Sequence, residues 1–387
     1  MRKTLIPAHF VLTGAAILTT LSQPAIAADY YAYVGGGGQN LFLSHFDTDT
    51  GVLTTPVAGA AAISPTFFTL SADGRFLYTC NESKGNLSAY KIDPATGALT
   101  LLNAPVASGG AGTTHISLDH AGKYVAVANY DSGSVAVFAI KADGSIGART
   151  AFDQHKGGSN VVASGQQSVP HAHCVTFDPT NKFLLNCDLG QDKVWIYKFN
   201  DQDGALTPNV PAFIATKPGS GPRHLTFSPN GKIVYLTTEL QPTVLAYNWD
   251  AAKGTLTELQ TTARLPATAT SDSITGGEIN VDARGKFLYA TNRDVAKPSR
   301  GLDSVEVYAI ADDGKLTWVQ YVQLPAPTFP RFETTDPSGK WLLVAGQNGN
   351  TIQVFAIDAT TGRLTPNGGQ IKVVSPQCIA FLPAPAK

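Results

Sequence analysis

The strongest constraint on this chain is a unit of about fifty residues that recurs along it after the N-terminal segment. Each unit contains the pattern of a β-hairpin, in which two apolar runs flank a short turn. The second apolar runs align as YYAYVGG from Tyr30, RFLYTCN from Arg75, KYVAVAN from Lys123, KFLLNCD from Lys182, KIVYLTT from Lys232, KFLYATN from Lys286 and KWLLVAG from Lys340. Because a unit of this size cannot bury its apolar faces alone, the repeat predicts that successive units pack against one another.

Two more strands are predicted after each hairpin. Segments such as NLSAYKID from Asn86 and TIQVFAI from Thr351 alternate apolar and polar residues, which predicts a third strand exposed on one side. The phrase D-x-x-T-G-x-L-T, at 93–100 and 358–365, predicts a turn and a short fourth strand. Four strands in each of seven units predict an all-β fold, a seven-bladed β-propeller with four-stranded antiparallel blades.

The two ends of the repeat region predict how the ring closes. The first unit begins directly in its second strand at Tyr30, whereas SPQCIAFLP from Ser375 resembles an opening strand with nothing after it. We therefore expect the C-terminal strand to complete the first blade and close the ring, which removes exposed strand edges. Two separate β-domains are the alternative, but no linker-like stretch supports them.

Residues 1–27 have the pattern of a signal peptide, in which two basic residues precede a largely apolar run at 10–21. Ala25-Ile26-Ala27 fits the small-x-small rule for cleavage, so we expect residues 28–387 to form the mature propeller domain. An uncleaved membrane anchor is the alternative, although the apolar run is short for a membrane span. The protein is therefore predicted to be exported, to the periplasm or the medium, and to have no membrane contact after cleavage.

Charge and cysteine content narrow the possible partners. Without the leader, 26 basic residues stand against 29 acidic ones, which gives no electrostatic reason to expect nucleic acid or an anionic membrane as a partner. The four cysteines, Cys80, Cys174, Cys187 and Cys378, each lie in a predicted strand and match no zinc-binding spacing. We expect all four to be free and buried. A Cys174–Cys187 disulfide is the alternative in an exported protein.

Ionisable residues recur where the opening strands begin and where the second strands end, two points at the same edge of an antiparallel hairpin. We expect a polar cavity there, near the central channel, because charged groups are costly to bury without partners. The residues predicted to contact an anionic or carbonyl-bearing small molecule are His115, Asp188, His224, Glu278, Asn292, Arg331 and Gln347. Insertions at 152–168 and 294–302 fall at this rim and are candidates for a lid, with an idle surface loop as the alternative.

His171 and His173 are two residues apart, so on a regular strand they would share a face. They could act as a base with a supporting histidine, bind a metal ion, or form a structural hydrogen-bonded pair. Arg223 and Arg293 could form forked contacts to a carboxylate or phosphate of a ligand. Alternatively, they could pair with acidic residues such as Glu239 and connect adjacent blades.

The combined motifs resemble those of the seven-bladed propeller lactonase family. They are H-A-H at 171–173, D-L-G at 188–190, G-P-R-H at 221–224, E-L at 239–240, N-R at 292–293 and P-R-F at 330–332. This family includes the bacterial propeller-type 6-phosphogluconolactonases and the fungal carboxy-muconate cyclase, and the resemblance spans the mature chain. It implies a site without a metal or other cofactor, with His171 or His173, Arg223, Glu239 and Arg293 as catalytic residues.

The resemblance implies a lactone hydrolase, which is a carboxylic-ester hydrolase of carbohydrate metabolism. One histidine would activate water or protonate the departing ring oxygen. Arg223 and Arg293 would stabilise the oxyanion or anchor an anionic group, and Glu239 would hold an arginine or a histidine in position. The expected substrate is a sugar or sugar-phosphate lactone, such as gluconolactone or 6-phosphogluconolactone. A muconate-type lactonising cyclase and a non-catalytic propeller that binds a ligand or a protein are the alternatives.

Overall fold

The computed structural model describes residue 1 and residues 29–162, 165–264 and 274–385. Apart from Met1, the predicted signal peptide lies outside the described residues. Within the described ranges, the chain forms 31 β-strands and one short 3₁₀ helix, grouped into seven sheets. No helix in this part of the chain has the length and hydropathy needed to cross a membrane.

The seven sheets are the blades of a propeller, labelled I to VII here. Blade I contains β1 (Asp29–Gly36), β2 (Asn40–Asp47), β3 (Val52–Leu53), β4 (Val57–Ala61) and the C-terminal β31 (Pro376–Pro383). Blade II contains β5 (Phe67–Leu70), β6 (Phe76–Asn81), the 3₁₀ helix (Glu82–Lys84), β7 (Asn86–Ile92), β8 (Leu99–Leu101) and β9 (Val106–Ala107). Blade III contains β10 (Thr113–Leu118), β11 (Tyr124–Asn129), β12 (Ser134–Ile140) and β13 (Ile146–Gln154).

The other four blades repeat this order. Blade IV contains β14 (Ala172–Phe177), β15 (Phe183–Asp188), β16 (Lys193–Phe199) and β17 (Leu206–Ala215). Blade V contains β18 (Pro222–Phe227), β19 (Ile233–Thr238), β20 (Thr243–Asp250) and β21 (Thr255–Ala263). Blade VI contains β22 (Ile274–Val281), β23 (Phe287–Asp294), β24 (Ser304–Ile310) and β25 (Leu316–Gln323). Blade VII contains β26 (Pro330–Thr335), β27 (Trp341–Gly346), β28 (Thr351–Ile357), β29 (Leu364–Pro366) and β30 (Ile371–Lys372).

The C-terminal strand closes the ring. In blades III to VI the strands follow one another in chain order, from the opening strand outwards. In blade I the opening position is taken by β31, which pairs antiparallel with β1 from Tyr30↔Pro383 to Gly35↔Cys378. The prediction of a seven-bladed propeller closed by its C-terminal strand is therefore confirmed.

The third strands are mostly buried, whereas the sequence predicted exposure on one side. β12, β24 and β28 each begin with five consecutive buried residues. The reason is that adjacent blades pack face to face, as where Val135 of blade III shares a hydrophobic cluster with Val175 and Tyr197 of blade IV. Polar residues on these strands form hydrogen bonds, for example from Asn129 Nδ2 to Ser134 Oγ at 3.1 Å. Extensive exposure occurs instead in fourth strands such as β17 and β21.

A buried aspartate holds the hairpin turn in several blades, at the face opposite the predicted rim. Asp178 Oδ1 accepts hydrogen bonds from the backbone N–H groups of Lys182 and Phe183, both at 2.8 Å. Equivalent contacts are made by Asp119, Asp282 and Asp336. Because these side-chain hydrogen bonds fix the turn, they also help to set the register of the two strands that reach the rim.

The four cysteines are free and buried, as predicted. Cys174 and Cys187 are opposite each other in the pairing of β14 with β15. Burial raises the pKa of the Cys80 thiol to about 12, which keeps this group protonated at neutral pH.

Candidate active site

A β-bulge recurs near the start of the opening strand in six blades. The residues skipped by the pairing with the second strand are Thr114, His173, Arg223, Gly277 with Glu278, Arg331 and Gln377. A bulge leaves the extra residue unpaired and redirects its side chain, and bulges are frequent beside active sites. The irregularity therefore gives each of these blades at least one residue that departs from the alternation of its strand.

All of these residues except Gly277 line a cavity at the rim of the channel. The lining consists of Thr66, Phe67, Thr114, His173, Arg223, His224, Glu278, Arg331 and Gln377. The cavity is small, and every blade contributes to its wall. A larger cleft lies between blades II and III at the opposite face. None of the predicted site residues lines this cleft, so it is not the candidate site despite its size.

Glu239 joins two arginines beside this cavity. Its Oε2 atom accepts a hydrogen bond from Arg223 Nε at 2.9 Å and lies 2.9 Å from Arg293 Nη2. Arg223 Nη1 donates to Gly277 O at 2.9 Å, and Arg293 Nη2 donates to Gly276 O at 2.5 Å. All three charged side chains are buried. The shared carboxylate therefore compensates both guanidinium groups at a depth where unpaired charges would be costly.

Burial and nearby charges set the protonation states of this group. Burial would raise the pKa of Glu239, but the charges of Arg293 and Arg223 lower it below its usual value, so the carboxylate is ionised at neutral pH. Burial and the Arg293 charge lower the pKa of Arg223 to about 10, which leaves it protonated. Burial and the Arg223 charge lower the pKa of His173 well below 6.5, so its imidazole is uncharged at neutral pH.

The structure separates the two histidines of the H-A-H motif. His173 lines the cavity, its Nε2 lies 3.8 Å from Glu239 Oε2, and its Nδ1 has no hydrogen-bond partner among the described residues. The His171 ring instead stacks on Tyr130 at 4.3 Å, with Nδ1 2.9 Å from Tyr130 O. The bulge explains the difference, because it removes His173 from the strand alternation that would place both rings alike. His173 is therefore the better-placed candidate for a base.

His224 and Glu278 form a second polar pair in the cavity wall. His224 Nδ1 lies 2.8 Å from Glu278 Oε1. The His224 ring meets His173 edge-on at 4.9 Å and His115 edge-on at 5.1 Å, while His115 stacks on Phe67 at 4.1 Å. Burial lowers the pKa of His224 and raises that of Glu278. Three of the residues predicted to contact substrate thus lie together at the channel.

Two other predicted contact residues, Arg331 and Gln347, contact each other, and Arg331 lines the cavity. Arg331 Nη1 is 3.5 Å from Gln347 Oε1, and Arg331 Nη2 is 3.3 Å from Glu82 Oε2. Both distances are long for charge-assisted hydrogen bonds. The Arg331 guanidinium is therefore held less tightly than those of Arg223 and Arg293.

Asp188 and Asn292 differ from the prediction in position, because both are fully buried behind the cavity and do not line it. Asp188 Oδ2 lies 2.5 Å from His155 Nδ1, and Asp188 Oδ1 accepts from the backbone N–H of His171 at 2.9 Å. Asn292 Nδ2 donates to Glu306 Oε1 at 2.7 Å. Their placement supports the rim from behind and gives no support to direct contact with substrate.

The insertion at 152–168 is bound to blade IV near both of its ends. Its residues 163 and 164 lie outside the described ranges. At one end, His155 binds Asp188; at the other, Gln167 Nε2 donates to Asp192 Oδ1 at 2.8 Å. Asp192 also accepts from the backbone N–H groups of Gly219 and Gly221, both at 2.8 Å, in the loop that precedes Arg223. The described part of this insertion therefore braces two strands of the site, which does not resemble a hinged lid.

Several site residues were not among the sequence-based candidates. Thr66 and Gln377 line the cavity, Tyr130 contacts both histidines of the H-A-H motif, and Glu82 reaches Arg331. These four lie at the start of an opening strand or just after the end of a second strand, which are the positions predicted to form the rim, although none of the four was predicted to contact substrate. His155 lies in an insertion and carries no such signal.

Comparison with known proteins agrees with this fold. A family model described as a seven-bladed β-propeller lactonase matches residues 26–381. The 6-phosphogluconolactonase of Bacillus subtilis is 32% identical over 360 residues, which cover 91% of this chain and 98% of the relative. A probable 6-phosphogluconolactonase of Arthroderma benhamiae is 32% identical over 383 residues, which cover 96% and 92% of the two chains. The solved structure of a periplasmic gluconolactonase from Pseudomonas aeruginosa has a TM-score of 0.85 and 31% identity, covering 92% and 100% of the two chains.

Proposed function

The chain belongs to the seven-bladed β-propeller lactonase family, and we propose that it hydrolyses a sugar lactone to the open-chain sugar acid. The observation that carries this proposal is the cluster of His173, Arg223 and Arg293 around one carboxylate oxygen of Glu239. An uncharged imidazole beside two fixed cations suits attack on a carbonyl group that becomes an oxyanion. Relatives named 6-phosphogluconolactonase and gluconolactonase support the same reaction class.

In the proposed reaction, His173 takes a proton from water while the water oxygen forms a bond to the lactone carbonyl carbon. Arg223 and Arg293 stabilise the oxyanion that develops on the carbonyl oxygen. When this intermediate collapses, the bond between the carbonyl carbon and the ring oxygen breaks, and the ring oxygen receives the proton from His173. The product is a hydroxy acid that releases its proton at neutral pH.

Glu239 has a positioning role in this scheme. Its Oε2 atom contacts both arginines, so one ionised carboxylate sets the separation of the two cations and compensates their charge before substrate binds. A group held in advance by the protein does not have to reorganise when the oxyanion forms. The same oxygen lies 3.8 Å from His173 Nε2, which supports a common site for the proposed base and the proposed oxyanion-stabilising groups.

The test is acid release from glucono-δ-lactone and from 6-phosphogluconolactone in a pH-stat, corrected for spontaneous hydrolysis. We expect release well above the blank for the native protein and a loss of about 100- to 1,000-fold in kcat for Arg223→Ala. Arg75→Ala is the matched control, because this arginine pairs with Asp73 on the exposed opposite face and should retain native activity. Arg223→Lys keeps the charge in case the alanine variant fails to fold, and it should also lose activity because it lacks the planar fork.

Two results would contradict the proposal. Acid release equal to the blank with both lactones would exclude hydrolysis of this substrate class. Native activity in a folded Arg223→Lys or Glu239→Gln variant would remove the assigned roles of these residues.

Export belongs to the proposal as well, since the leader predicted at 1–27 lies outside the described residues apart from Met1. The relative from Pseudomonas aeruginosa carries the word periplasmic in its name, which supports this location. The N-terminal residue of the exported protein would check it, with Ala28 expected.

A further inference from the structure

The three arginines at the cavity differ in how firmly their guanidinium N–H groups are bound to protein partners. Arg223 and Arg293 are buried, and each donates to a backbone carbonyl in addition to its contact with Glu239. The Arg331 side chain is 21% exposed and contacts Glu82 at 3.3 Å and Gln347 at 3.5 Å. Arg331 is thus the arginine best able to exchange a present contact for one with a ligand.

The contact between Arg331 and Glu82 joins two blades that are not neighbours. Arg331 belongs to blade VII and Glu82 to the 3₁₀ helix of blade II, with blade I between them. Arg331 lines the cavity, and its two partners Glu82 and Gln347 are partly exposed, so these three side chains connect the cavity wall with the surface and are called the mouth of the cavity here.

Inside the cavity, the wall has polar atoms without partners in the described ranges. They include Glu278 Oε2, Gln377 Oε1 and Thr66 Oγ1. Gln377 Oε1 can only accept hydrogen bonds, and the same holds for Glu278 Oε2 when this carboxylate is ionised. The Thr66 hydroxyl can donate or accept. Buried polar groups are expected to find partners. Sugar hydroxyls can donate to such acceptors, whereas a phosphate dianion only accepts.

We propose that Glu82, Arg331 and Gln347 form a hydroxyl-binding subsite that selects polyhydroxylated lactones, an inference that rests on the proposed lactone hydrolysis. The reacting carbonyl lies at His173, Arg223 and Arg293, and the hydroxylated part of the substrate extends towards the mouth. There the Glu82 carboxylate accepts hydrogen bonds from hydroxyl groups, and the Arg331 guanidinium donates to them. The long contacts between these side chains are exchanged for contacts with substrate.

The test compares glucono-δ-lactone with δ-valerolactone, a six-membered lactone that has no hydroxyl groups. We expect the native protein to prefer the hydroxylated lactone in kcat/KM, and Glu82→Gln and Arg331→Gln each to lower that preference about tenfold or more, because hydrogen bonds to charged groups are among the stronger ones. Glu258→Gln and Arg75→Gln are matched controls for charge, since both residues are exposed and outside the cavity wall. These controls should retain the native preference.

The outcomes separate this inference from the function on which it rests. Hydrolysis of both lactones with an unchanged preference in Glu82→Gln and Arg331→Gln would overturn the subsite and leave lactone hydrolysis intact. A loss in Arg331→Gln confined to 6-phosphogluconolactone would also overturn it, because the guanidinium would then serve an anion.

Calorimetric titration with gluconate and with 5-hydroxypentanoate tests the subsite without catalysis. Tighter binding of gluconate, lost in Glu82→Gln, supports the inference even where no hydrolysis is measured. Equal binding of the two acids to the native protein would contradict it.

Discussion

His155 and His173 are both buried histidines beside a carboxylate, yet their surroundings differ in one respect. Both ring nitrogens of His155 have partners, with Nδ1 2.5 Å from Asp188 Oδ2 and Nε2 2.7 Å from Tyr197 OH. The ring also stacks on Trp195 at 4.8 Å. His173 has its nearest carboxylate oxygen at 3.8 Å, and its Nδ1 has no partner among the described residues.

This difference in hydrogen bonding supports the proposal that His155 has a structural role and His173 a chemical one. A histidine whose two nitrogens are both bonded has no lone pair left to accept a proton from water, but it stabilises the packing around it. A buried histidine with an unpaired nitrogen is costly for stability, and it retains the capacity to act as a base. Unequal hydrogen bonding is therefore a better guide to the active histidine than burial, which is the same for both.

The largest expected effect concerns His173. Its replacement in His173→Asn should lower kcat about 100- to 10,000-fold, because the general base is removed while the polar character of the position is kept. Kinetics at saturating glucono-δ-lactone, with circular dichroism to confirm folding, would measure this. A folded variant with more than a tenth of native kcat would show that another group activates water.

His155→Asn should have the opposite profile, with a stability loss and little loss of catalysis. Removal of the imidazole leaves the buried Asp188 carboxylate without one of its partners, which should lower the free energy of unfolding by about 3 kcal/mol. Urea denaturation would measure this, with kcat at a temperature well below the transition expected within about threefold of native. His45→Asn is the matched control, because its contact with Asp29 is partly exposed and should contribute less than about 1 kcal/mol. Loss of kcat in His155→Asn with native stability would break the distinction between the two histidines.

The smallest expected effect is on the pH dependence of catalysis. Because burial and the charges of Arg223, His224, Arg331 and Arg293 lower the pKa of His173 well below 6.5, the acid limb of kcat/KM should lie below pH 6.5. Arg331→Gln removes one of these charges and should move that limb to higher pH, which blank-corrected pH profiles would show. An acid limb above pH 6.5 in the native protein would contradict an uncharged His173.

The lowered pKa of His173 also makes the free energy of unfolding depend on pH. Below pH 6.5 the unfolded chain binds protons at this position more readily than the folded protein. The contribution of His173 to the free energy of unfolding is therefore fully present above that pH and declines as the pH falls.

Much of the fold could be predicted from the sequence, because a repeat unit specifies its own hairpin and its packing on a neighbour. The aligned second strands, the turn phrases and the unpaired segment at Ser375 were sufficient for blade number and ring closure. The burial of the third strands could not be inferred from their alternation. It depends on contact with the adjacent blade, as between Val135 and Val175.

The site was predicted in outline, and its local geometry was not. Because opening strands begin and second strands end at the same edge of each hairpin, the sequence predicted His173, Arg223, Glu239 and Arg293 at one edge. Regular strand alternation, however, implied that His171 and His173 face the same way. The bulges in the opening strands overrule that alternation, and they depend on pairing with the second strand rather than on residue type. The contact of Glu82 with Arg331 joins residues 249 positions apart and has no local signal.

The pairing of β31 with β1 has a consequence for biosynthesis. Gln377, which lines the candidate active-site cavity, lies on the strand that also completes blade I, so the same segment completes both the first blade and the cavity wall. Without β31, blade I lacks its opening strand, one edge of β1 is unpaired and the cavity lacks Gln377. Arrival of the last strand therefore ends the exposure of that edge and completes the cavity in one step, so that a partly synthesised chain cannot hold the finished site.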